Sequence, residues 1–454
     1  NGTLYFTQSN GLYKATGTTD TYIRSLPSSY SSGFTNVNGT LYFQTSDSGI
    51  GRELWMSQGD FSNTGMVKDI FPGSNSSYAT VIGNLGSTAI ISANDGVSGT
   101  ELWRSSGSSG STWLLEDINA ASVGSDPSEF TQFKGETYFV AYDDNYGYEL
   151  WKTNGLTGNR SLVADVTSGH GSSNLSDLTV FNGELFFLAS DVGSTNRDLW
   201  KTDGTSTAKA YDASRIDDIE VFDGELYLTG SGSLGVDDLW KSDGTSAGTT
   251  LFVDVWPGST DDNVGNLTAT SNALYFSADG GGGSGVEIWR TDGTVVGTFE
   301  VADVNSGSGS STPQHFTEVS NEVFFAASDS TGDRELWKTD GSVGNVAQVA
   351  DIHPTTSSDP QYLTNFNGQL YFSATHPMSG VSLMTTDGTT LGTTVVKSFS
   401  GSVAPRGLTE YDGDLYFAAN NGTQGEELWQ SDGTTTGTDM VQDIFVGSAS
   451  SQPS

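Results

Sequence analysis

The sequence contains no cysteine among its 454 residues and only 18 lysine and arginine residues. The absence of cysteine excludes disulfide scaffolds, thiolate zinc sites, iron-sulfur clusters and cysteine nucleophiles. The 18 basic residues stand against 55 acidic ones, which gives a net charge of −37. Such a surface repels phosphate backbones and anionic lipid headgroups, so we expect no nucleic-acid partner. Divalent cations are compatible with this charge.

Long apolar runs are also missing. No stretch approaches the roughly 20 apolar residues of a membrane helix, so we expect no direct membrane insertion. The first residues, Asn1–Phe6, contain no Met and no signal-peptide pattern, and we expect the chain to be a segment of a longer protein. The aromatic content of 11% indicates a folded chain, because disordered segments carry few aromatic residues.

An internal repeat dominates what is present. A unit of about 40 to 50 residues recurs along the whole chain, ten times in all. Each unit has an aromatic residue after a Leu, or after Ile288 in one unit. It is Tyr13 in the first unit, and Met384 takes the same position in the ninth. In the other units this residue is tryptophan, at Trp55, Trp103, Trp151, Trp200, Trp240, Trp289, Trp337 and Trp429.

Each unit has the pattern of four short strands. In one unit we expect strands over 178–181, 185–188 and 198–202, and the fourth strand resembles 251–255. The Asn182-Gly183 pair between the first two is a strong hairpin signal. Four-stranded units of this length are typical of a β-propeller. We therefore predict an all-β fold of four-stranded antiparallel blades, about ten repeats, read as one ten-bladed propeller over residues 1–454. Two five-bladed rings that split near residue 215 are the alternative.

The ends of the repeat affect the strand count. Counting gives ten second, third and fourth strands but nine first strands. Either one blade has three strands, or the parent chain continues beyond the residues given.

The repeated motif resembles a known family. The segments Glu149–Gly155, Asp238–Thr245, Glu335–Gly341 and Glu427–Thr434 resemble the E-L-W-x-x-D-G-T repeats of large secreted or surface proteins of bacteria and archaea. The resemblance covers essentially the whole chain and implies export, hence an extracellular or cell-surface location, but no single activity. The turn D-G-T-x-x-G-T is also similar to the Asp box of sialidase-type propellers, in which the box is structural.

Two sets of repeated residues, the tryptophans and the turn aspartates, could form a binding site or stabilise the fold. The repeated tryptophans could stack on sugars, but we expect them to pack between neighbouring blades. The turn aspartates could bind Ca²⁺, but we expect turn capping. These aspartates are Asp203, Asp243, Asp292, Asp340, Asp387 and Asp432.

Other candidate sites are weaker. The densest acidic clusters, Asp143-Asp144 and Asp261-Asp262, are weak candidates for Ca²⁺, the one cofactor that the sequence leaves open. No nucleophile elbow, paired-histidine motif or phosphate loop is present, and we expect no enzyme. Seven glycosylation sequons lie at Asn1, Asn38, Asn75, Asn159, Asn174, Asn266 and Asn421, which is close to the number that chance alone predicts.

The repetition suggests a function without a unique site. We expect an extracellular or cell-surface structural or adhesive interaction scaffold without catalysis. Its partners would be other surface proteins, glycans or copies of itself. The alternative is a carbohydrate-binding or carbohydrate-cleaving propeller with a site at the axial mouth.

Overall fold

The chain is built almost entirely of antiparallel β-sheet. The computed structural model describes residues 4–441, apart from gaps at 9–10, 17–18, 29–30, 48, 121–122, 195, 232–236, 260–261, 402 and 412. Within these residues there are nine four-stranded sheets, one three-stranded sheet and a single 3₁₀ turn at Ser109–Ser111. The protein is all-β and has the β-propeller fold that the sequence predicts.

The chain divides into two compact units, Asn1–Tyr211 and Asp212–Pro453, each with five sheets. The boundary lies beside residue 215, where the sequence places the alternative split. The sheets are numbered as blades 1 to 10 in chain order.

The first unit contains blades 1 to 5. Its strands, in chain order, are β1 (Leu4–Gln8), β2 (Gly11–Thr16) and β3 (Thr19–Ser25) in blade 1; β4 (Ser31–Val37), β5 (Thr40–Asp47), β6 (Gly51–Ser57) and β7 (Thr64–Lys68) in blade 2; β8 (Thr80–Leu85), β9 (Thr88–Asn94), β10 (Thr100–Ser105) and β11 (Thr112–Glu116) in blade 3; β12 (Ser128–Phe133), β13 (Glu136–Asp143), β14 (Gly147–Thr153) and β15 (Arg160–Ala164) in blade 4; and β16 (Ser176–Phe181), β17 (Glu184–Ala189), β18 (Asp198–Thr202) and β19 (Thr207–Tyr211) in blade 5.

The second unit contains blades 6 to 10. Its strands, in chain order, are β20 (Asp218–Phe222), β21 (Glu225–Ser231), β22 (Asp237–Ser242) and β23 (Thr250–Val253) in blade 6; β24 (Gly265–Ala269), β25 (Leu274–Asp279), β26 (Val286–Thr291) and β27 (Phe299–Ala302) in blade 7; β28 (Gln314–Val319), β29 (Glu322–Ser328), β30 (Arg334–Thr339) and β31 (Val346–Ala350) in blade 8; β32 (Gln361–Phe366), β33 (Gln369–His376), β34 (Gly380–Thr386) and β35 (Thr394–Ser398) in blade 9; and β36 (Arg406–Tyr411), β37 (Asp414–Asn420), β38 (Glu426–Ser431) and β39 (Thr438–Met440) in blade 10.

The number of four-stranded blades is nine, which corrects the predicted number of about ten. Blade 1 has only β1, β2 and β3, in that spatial order. In the described part of the chain, no strand pairs with β1 on the side where the first strand lies in the other blades. The described sheets therefore contain nine first strands, the number counted from the sequence.

Turn residues fix the register of the first hairpin in blade 5. In blade 5, Asn182 has φ 48° and Gly183 has φ 77°. Positive φ at both central residues is the geometry of a type I′ turn, which matches the twist of the flanking strands. Phe181 pairs with Glu184 across it. The fourth strand is shorter than predicted, because Asp254 and Val255 leave β23 and enter the connection to blade 7.

The tryptophan column lies in the apolar interior between neighbouring blades. Trp103 is 5% exposed and packs with Val37 and Tyr42 of blade 2 and Ile91 of its own blade. Trp55, Trp151, Trp240 and Trp429 are similarly buried, and Trp200, Trp289 and Trp337 are half-buried. A blade cannot bury these rings alone, so each blade depends on its neighbour. None of the helical segments among the described residues has the length and hydropathy needed to cross a membrane.

This packing predicts a large loss of stability for Trp103→Ala. Removal of a buried tryptophan leaves a cavity between blades 2 and 3, at an expected cost of about 3–5 kcal/mol. Urea unfolding followed by tryptophan fluorescence and circular dichroism would measure it. Leu391→Ala is the control, since Leu391 is 95% exposed. An equal effect of the two substitutions would contradict the assignment of Trp103 to the interior.

Candidate metal centre

A buried carboxylate sits on the third strand of most blades, directly before the Leu-Trp pair. In six blades it is a glutamate that is at most 1% exposed, at Glu53, Glu101, Glu149, Glu287, Glu335 and Glu427. A buried carboxylate is costly unless donors surround it. The glutamate column therefore requires hydrogen-bond donors from elsewhere in the blade.

The donors come from the segment that leaves the fourth strand. Glu335 accepts hydrogen bonds from the main-chain N–H of Ile352 (3.1 Å), from the N–H of Ser358 (2.9 Å) and from the hydroxyl of Ser358 (2.6 Å). Glu287 is bonded in the same way by Val304 (2.8 Å) and Ser311 (2.9 Å and 2.6 Å). Glu287 and Glu335 thus hold the connection to the next blade against their own third strands, and Glu53, Glu101 and Glu149 accept main-chain hydrogen bonds from the corresponding connections.

A glycine lets the same connection approach the third strand. Gly147 begins β14 with φ 72°, and a Cβ there would lie 2.2 Å from the carbonyl oxygen of Gly171. Any side chain would push the connection away. The glycine and the glutamate two residues later therefore serve one contact.

Blade 6 departs from this pattern at two positions. Asp238 stands in the glutamate position, and Asp262 stands where the serine lies in blades 7 and 8. Asp238 Oδ1 accepts a hydrogen bond from the N–H of Val255 (3.1 Å), and Asp262 Oδ2 accepts one from the N–H of Trp256 (3.0 Å). Both carboxylates are 1% exposed. In blade 6 a carboxylate, which accepts hydrogen bonds, therefore stands in place of the serine hydroxyl that donates one.

Asp238 and Asp262 bring two carboxylates together in the interior without a positive charge among the described residues to compensate them. Asp262 Oδ1 is buried and has no hydrogen-bond partner. Burial, and then the neighbouring carboxylates of Asp262 and Asp254, raise the pKa of Asp238 well above its usual range. None of the ion pairs between described residues involves these three aspartates. The pair needs a proton or a cation between its oxygens.

A third carboxylate completes the cluster. Asp254 is exposed, and one oxygen from each of Asp238, Asp254 and Asp262 lies within 4.8 Å of the others. Ca²⁺ accepts six to eight oxygen ligands at 2.3–2.6 Å, so three carboxylates and water on the exposed side fit its needs. The absence of nitrogen and sulfur donors favours such a hard cation.

Blade 5 shows how the chain balances an aspartate in the same column. Asp198 occupies the glutamate position there, and Lys209 Nζ lies 2.8 Å from Asp198 Oδ2 and also pairs with Asp191. The lysine supplies a positive charge from the chain itself. Blade 6 has the same shortened acid and no such lysine among its described ion pairs.

A second acidic group lies in blade 8 and is less suited to a cation. Asp333, Glu335 and Asp351 also have oxygens within 4.8 Å of one another. The carboxylate of Glu335 already accepts hydrogen bonds from the segment that leaves blade 8. Asp333 and Asp351 are not classed as buried. Asp351 is exposed to water, whereas Asp333 Oδ1 is buried without a hydrogen-bond partner, as Asp262 Oδ1 is.

The aspartates that the sequence suggested as weak Ca²⁺ ligands do not form one group among the described residues. Asp262 belongs to the blade 6 cluster, whereas Asp261 lies outside the described residues. Asp143 Oδ1 accepts a hydrogen bond from the N–H of Asn145 (2.8 Å), and Asp144 is exposed. Neither Asp143 nor Asp144 joins an acidic group in the described part of the chain. Sequence reasoning did not single out Asp238, although its departure from glutamate was visible.

The turn aspartates cap their own turns. In Asp292, for example, Oδ1 accepts hydrogen bonds from the N–H (2.9 Å) and the hydroxyl (2.7 Å) of Thr294, and these bonds lower its pKa. The main-chain N–H two residues later donates to Oδ1 in all six turns, those of Asp203, Asp243, Asp292, Asp340, Asp387 and Asp432.

The sequon asparagines lie mainly at the surface. Asn421 is half-buried, and its Nδ2 donates to Gln424 Oε1 (2.6 Å). Asn1 lies outside the described residues, and the other five are exposed, namely Asn38, Asn75, Asn159, Asn174 and Asn266. Glycosylation stays a prediction.

Comparisons with known proteins give distant solved structures. The chain matches no model of a known protein family and no curated protein. It is similar to a puromycin hydrolase, at 9% identity and TM-score 0.36, over 76% of this chain and 58% of that one. It is also similar to a structure described in an analysis of two prolyl endopeptidases, at 12% identity and TM-score 0.42, over 70% and 51%. The chain thus spans little more than half the length of these proteins.

These neighbours correct the predicted function. We expected a structural or adhesive scaffold without catalysis, with a carbohydrate-binding or carbohydrate-cleaving propeller as the alternative. The similar structures are instead those of a puromycin hydrolase and prolyl endopeptidases. Neither expectation is carried further. At such low TM-scores the likeness supports no argument about the chemistry of this chain, so the absence of enzymatic activity stays a prediction. The resemblance to E-L-W-x-x-D-G-T repeats likewise stays an interpretation of the motif.

The buried glutamates predict that the protein is more stable at mildly acidic pH. Burial raises the pKa of Glu101 and of Glu149 to about 7, from an ordinary value of 4.5. The folded state therefore binds these protons more tightly than the unfolded chain, and stability falls as the pH rises through 7. We expect a higher melting temperature at about pH 5.5 than at about pH 8.5.

A pair of variants separates this effect from general charge repulsion. The double variant Glu101→Gln/Glu149→Gln removes two titrating groups and should flatten the pH dependence of the melting temperature. Glu410→Gln removes one exposed charge and should leave it nearly unchanged. A pH dependence that is the same in the double variant and the parent would refute the role of the buried glutamates.

Proposed function

We propose that the protein is a cation-dependent β-propeller that binds one Ca²⁺ ion at Asp238, Asp254 and Asp262. The single observation that supports this most strongly is the unpartnered oxygen of Asp262, buried beside a second carboxylate. An acceptor without a donor in such a place costs about 1–3 kcal/mol, and more when it is charged. A bound cation removes that cost.

The repeat itself supports a role for the ion in the fold. In blades 7 and 8, the carboxylate and serine hold the connection to the next blade through N–H and O–H donors. In blade 6 the same connection supplies Asp262. A cation shared by Asp238 and Asp262 would hold this connection to β22, as the glutamate does elsewhere.

Ca²⁺ fits better than Mg²⁺ at this place. Main-chain N–H groups fix one oxygen of Asp238 and one of Asp262, so the ligands cannot rearrange freely. Mg²⁺ demands near-ideal octahedral geometry, whereas Ca²⁺ accepts irregular arrangements. The exposed side of Asp254 leaves room for water ligands.

The proposal predicts that Ca²⁺ stabilises the protein. Ligand at 100 times its Kd stabilises the folded state by about 2.7 kcal/mol, or roughly 5–10 °C in melting temperature for a unit of this size. We expect this shift when Ca²⁺ is added to chelator-treated protein, and its reversal by chelator. Differential scanning calorimetry and calorimetric titration would measure it.

The chain offers its own matched controls. Asp238→Glu/Asp262→Ser restores the residues of the other blades and should remove the Ca²⁺ response without lowering the melting temperature of the ion-free protein. Asp254→Asn should weaken Ca²⁺ binding, whereas Asp303→Asn at the equivalent position of blade 7 should not. A chelator-treated parent that melts at the same temperature with and without Ca²⁺ would rule the proposal out.

A further inference from the structure

A run of four glycines, 280–283, lies beside the acidic cluster of blade 6. It belongs to the loop 280–285, which joins β25 and β26 of blade 7. Gly281 is buried with φ 75°, and a Cβ there would lie 2.4 Å from Cδ1 and Nε1 of Trp256. The main chain of the loop therefore rests against the indole ring of Trp256, an approach that only glycine permits.

Two contacts connect this loop to the proposed cation site. The main-chain N–H of Trp256 donates a hydrogen bond to Asp262 Oδ2 (3.0 Å). The N–H of Asp279, the last residue of β25, donates to the carbonyl oxygen of Asp262 (2.7 Å). Asp262 thus positions both the residue before the loop and the ring on which the loop rests.

The second half of the glycine run has no packing of its own. Gly282 and Gly283 are exposed, and a Cβ on either would meet no described atom within 4 Å. Inside the loop, the N–H of Gly281 donates to Asp279 Oδ1 (2.9 Å), and the hydroxyl of Ser284 donates to the carbonyl oxygen of Gly281 (3.1 Å). Glycine loses more conformational entropy on ordering than any other residue, so the order of the loop depends on what holds Gly281 and Asp279.

The loop 95–99 of blade 3 rests on the connection before it in the same way. Phe71 stands at the position of Trp256, and a Cβ on Gly96 would lie 2.2 Å from Cε2 of its ring. The N–H of Asn94 donates to the carbonyl oxygen of Ser77 (2.9 Å), which is the counterpart of the bond to Asp262. A glycine set against an aromatic ring of the connection is therefore a repeated contact of this chain.

The two loops differ in what fixes the connection beneath them. Glu53 accepts hydrogen bonds from the N–H groups of Ile70 (2.7 Å) and Ser77 (3.0 Å), so the chain alone fixes the connection under the blade 3 loop. In blade 6, carboxylate oxygens of Asp238 and Asp262 lie within 4.8 Å of each other instead. The position of Asp262, and with it the order of the blade 7 loop, then depends on the cation.

We propose that the loop 280–285 is a cation-controlled strap, which closes over Trp256 when Ca²⁺ occupies the blade 6 site and opens when the ion leaves. This inference rests on the proposed function, because the ion is what holds Asp262 beside Asp238. Ca²⁺ favours the closed strap because it binds more tightly where the two carboxylates are held together. The indole of Trp256 is 37% exposed under the closed strap and becomes more accessible when the strap opens.

Hydrogen exchange measured by mass spectrometry tests the strap, with a calorimetric titration of Ca²⁺ on the same chelator-treated protein. Ca²⁺ at 100 times its Kd slows an opening that requires ion release by at most about 100-fold, and we expect roughly tenfold or more at the amides of Gly281 and Ser284. The loop 95–99 of blade 3 is the internal control, and its exchange should not respond to Ca²⁺.

Two neighbouring glycines provide matched variants. Gly281 and Gly282 both have positive φ, at 75° and 68°, so alanine strains the backbone at either position. Only at Gly281 would the new Cβ meet Trp256. Gly281→Ala should abolish the effect of Ca²⁺ on exchange in the loop while calorimetry still shows Ca²⁺ binding, and Gly282→Ala should keep both. Trp256→Ala should act as Gly281→Ala does, and it decides the question if Gly281→Ala does not fold.

The two measurements distinguish failure of the strap from failure of the ion site. Ca²⁺ binding without slower exchange in the loop 280–285 would overturn the strap and leave the proposed function standing. Equal slowing of the blade 3 and blade 7 loops would do the same, as would equal responses of Gly281→Ala and Gly282→Ala. If calorimetry detects no Ca²⁺ binding, the proposed function fails and the strap fails with it.

Discussion

The fold depends on buried carboxylates that must be satisfied. A blade of this kind buries both faces of its inner strands, and the connection to the next blade has to be held at a defined place. The chain does this with an acidic side chain on the third strand, which receives N–H groups from the connection. Because a buried charge without donors is far more costly than a buried apolar group, every change in this column must be compensated nearby.

The blades compensate in different ways. Blades with glutamate use main-chain N–H groups and a serine hydroxyl, as at Glu335 and Ser358. Blade 5 uses Asp198 with Lys209. Blade 9 has no acid at this position, and its buried Ser382 bonds the carbonyl oxygen of Gly380 instead. Among the described residues, blade 6 alone places a buried aspartate of the third strand beside a buried aspartate of the connection, and we propose that a cation from solution binds there.

Much of the fold could be predicted from the sequence, because its signals are local. The strand 198–202 was predicted at its observed bounds, and the Asn182-Gly183 turn has the geometry its residues demand. Capping by Asp292 involves only the next few residues, so the repeat was enough to suggest it.

The candidate site could not be predicted in the same way. Asp238 and Asp262 are far apart along the chain and meet because the connection folds back on β22. Repetition also misled the functional prediction, since it drew attention to what the blades share. The acidic cluster lies where blade 6 differs from the blades that have glutamate on the third strand.

The most direct test of the account is a lanthanide-soaked crystal measured at the lanthanide absorption edge. A lanthanide replaces Ca²⁺ at oxygen sites and gives a strong anomalous signal. The account predicts one strong anomalous peak among Asp238, Asp254 and Asp262, and none at the glutamate-serine pairs of blades 7 and 8. A map without a peak at blade 6, or with equal peaks at the glutamate blades, would contradict it.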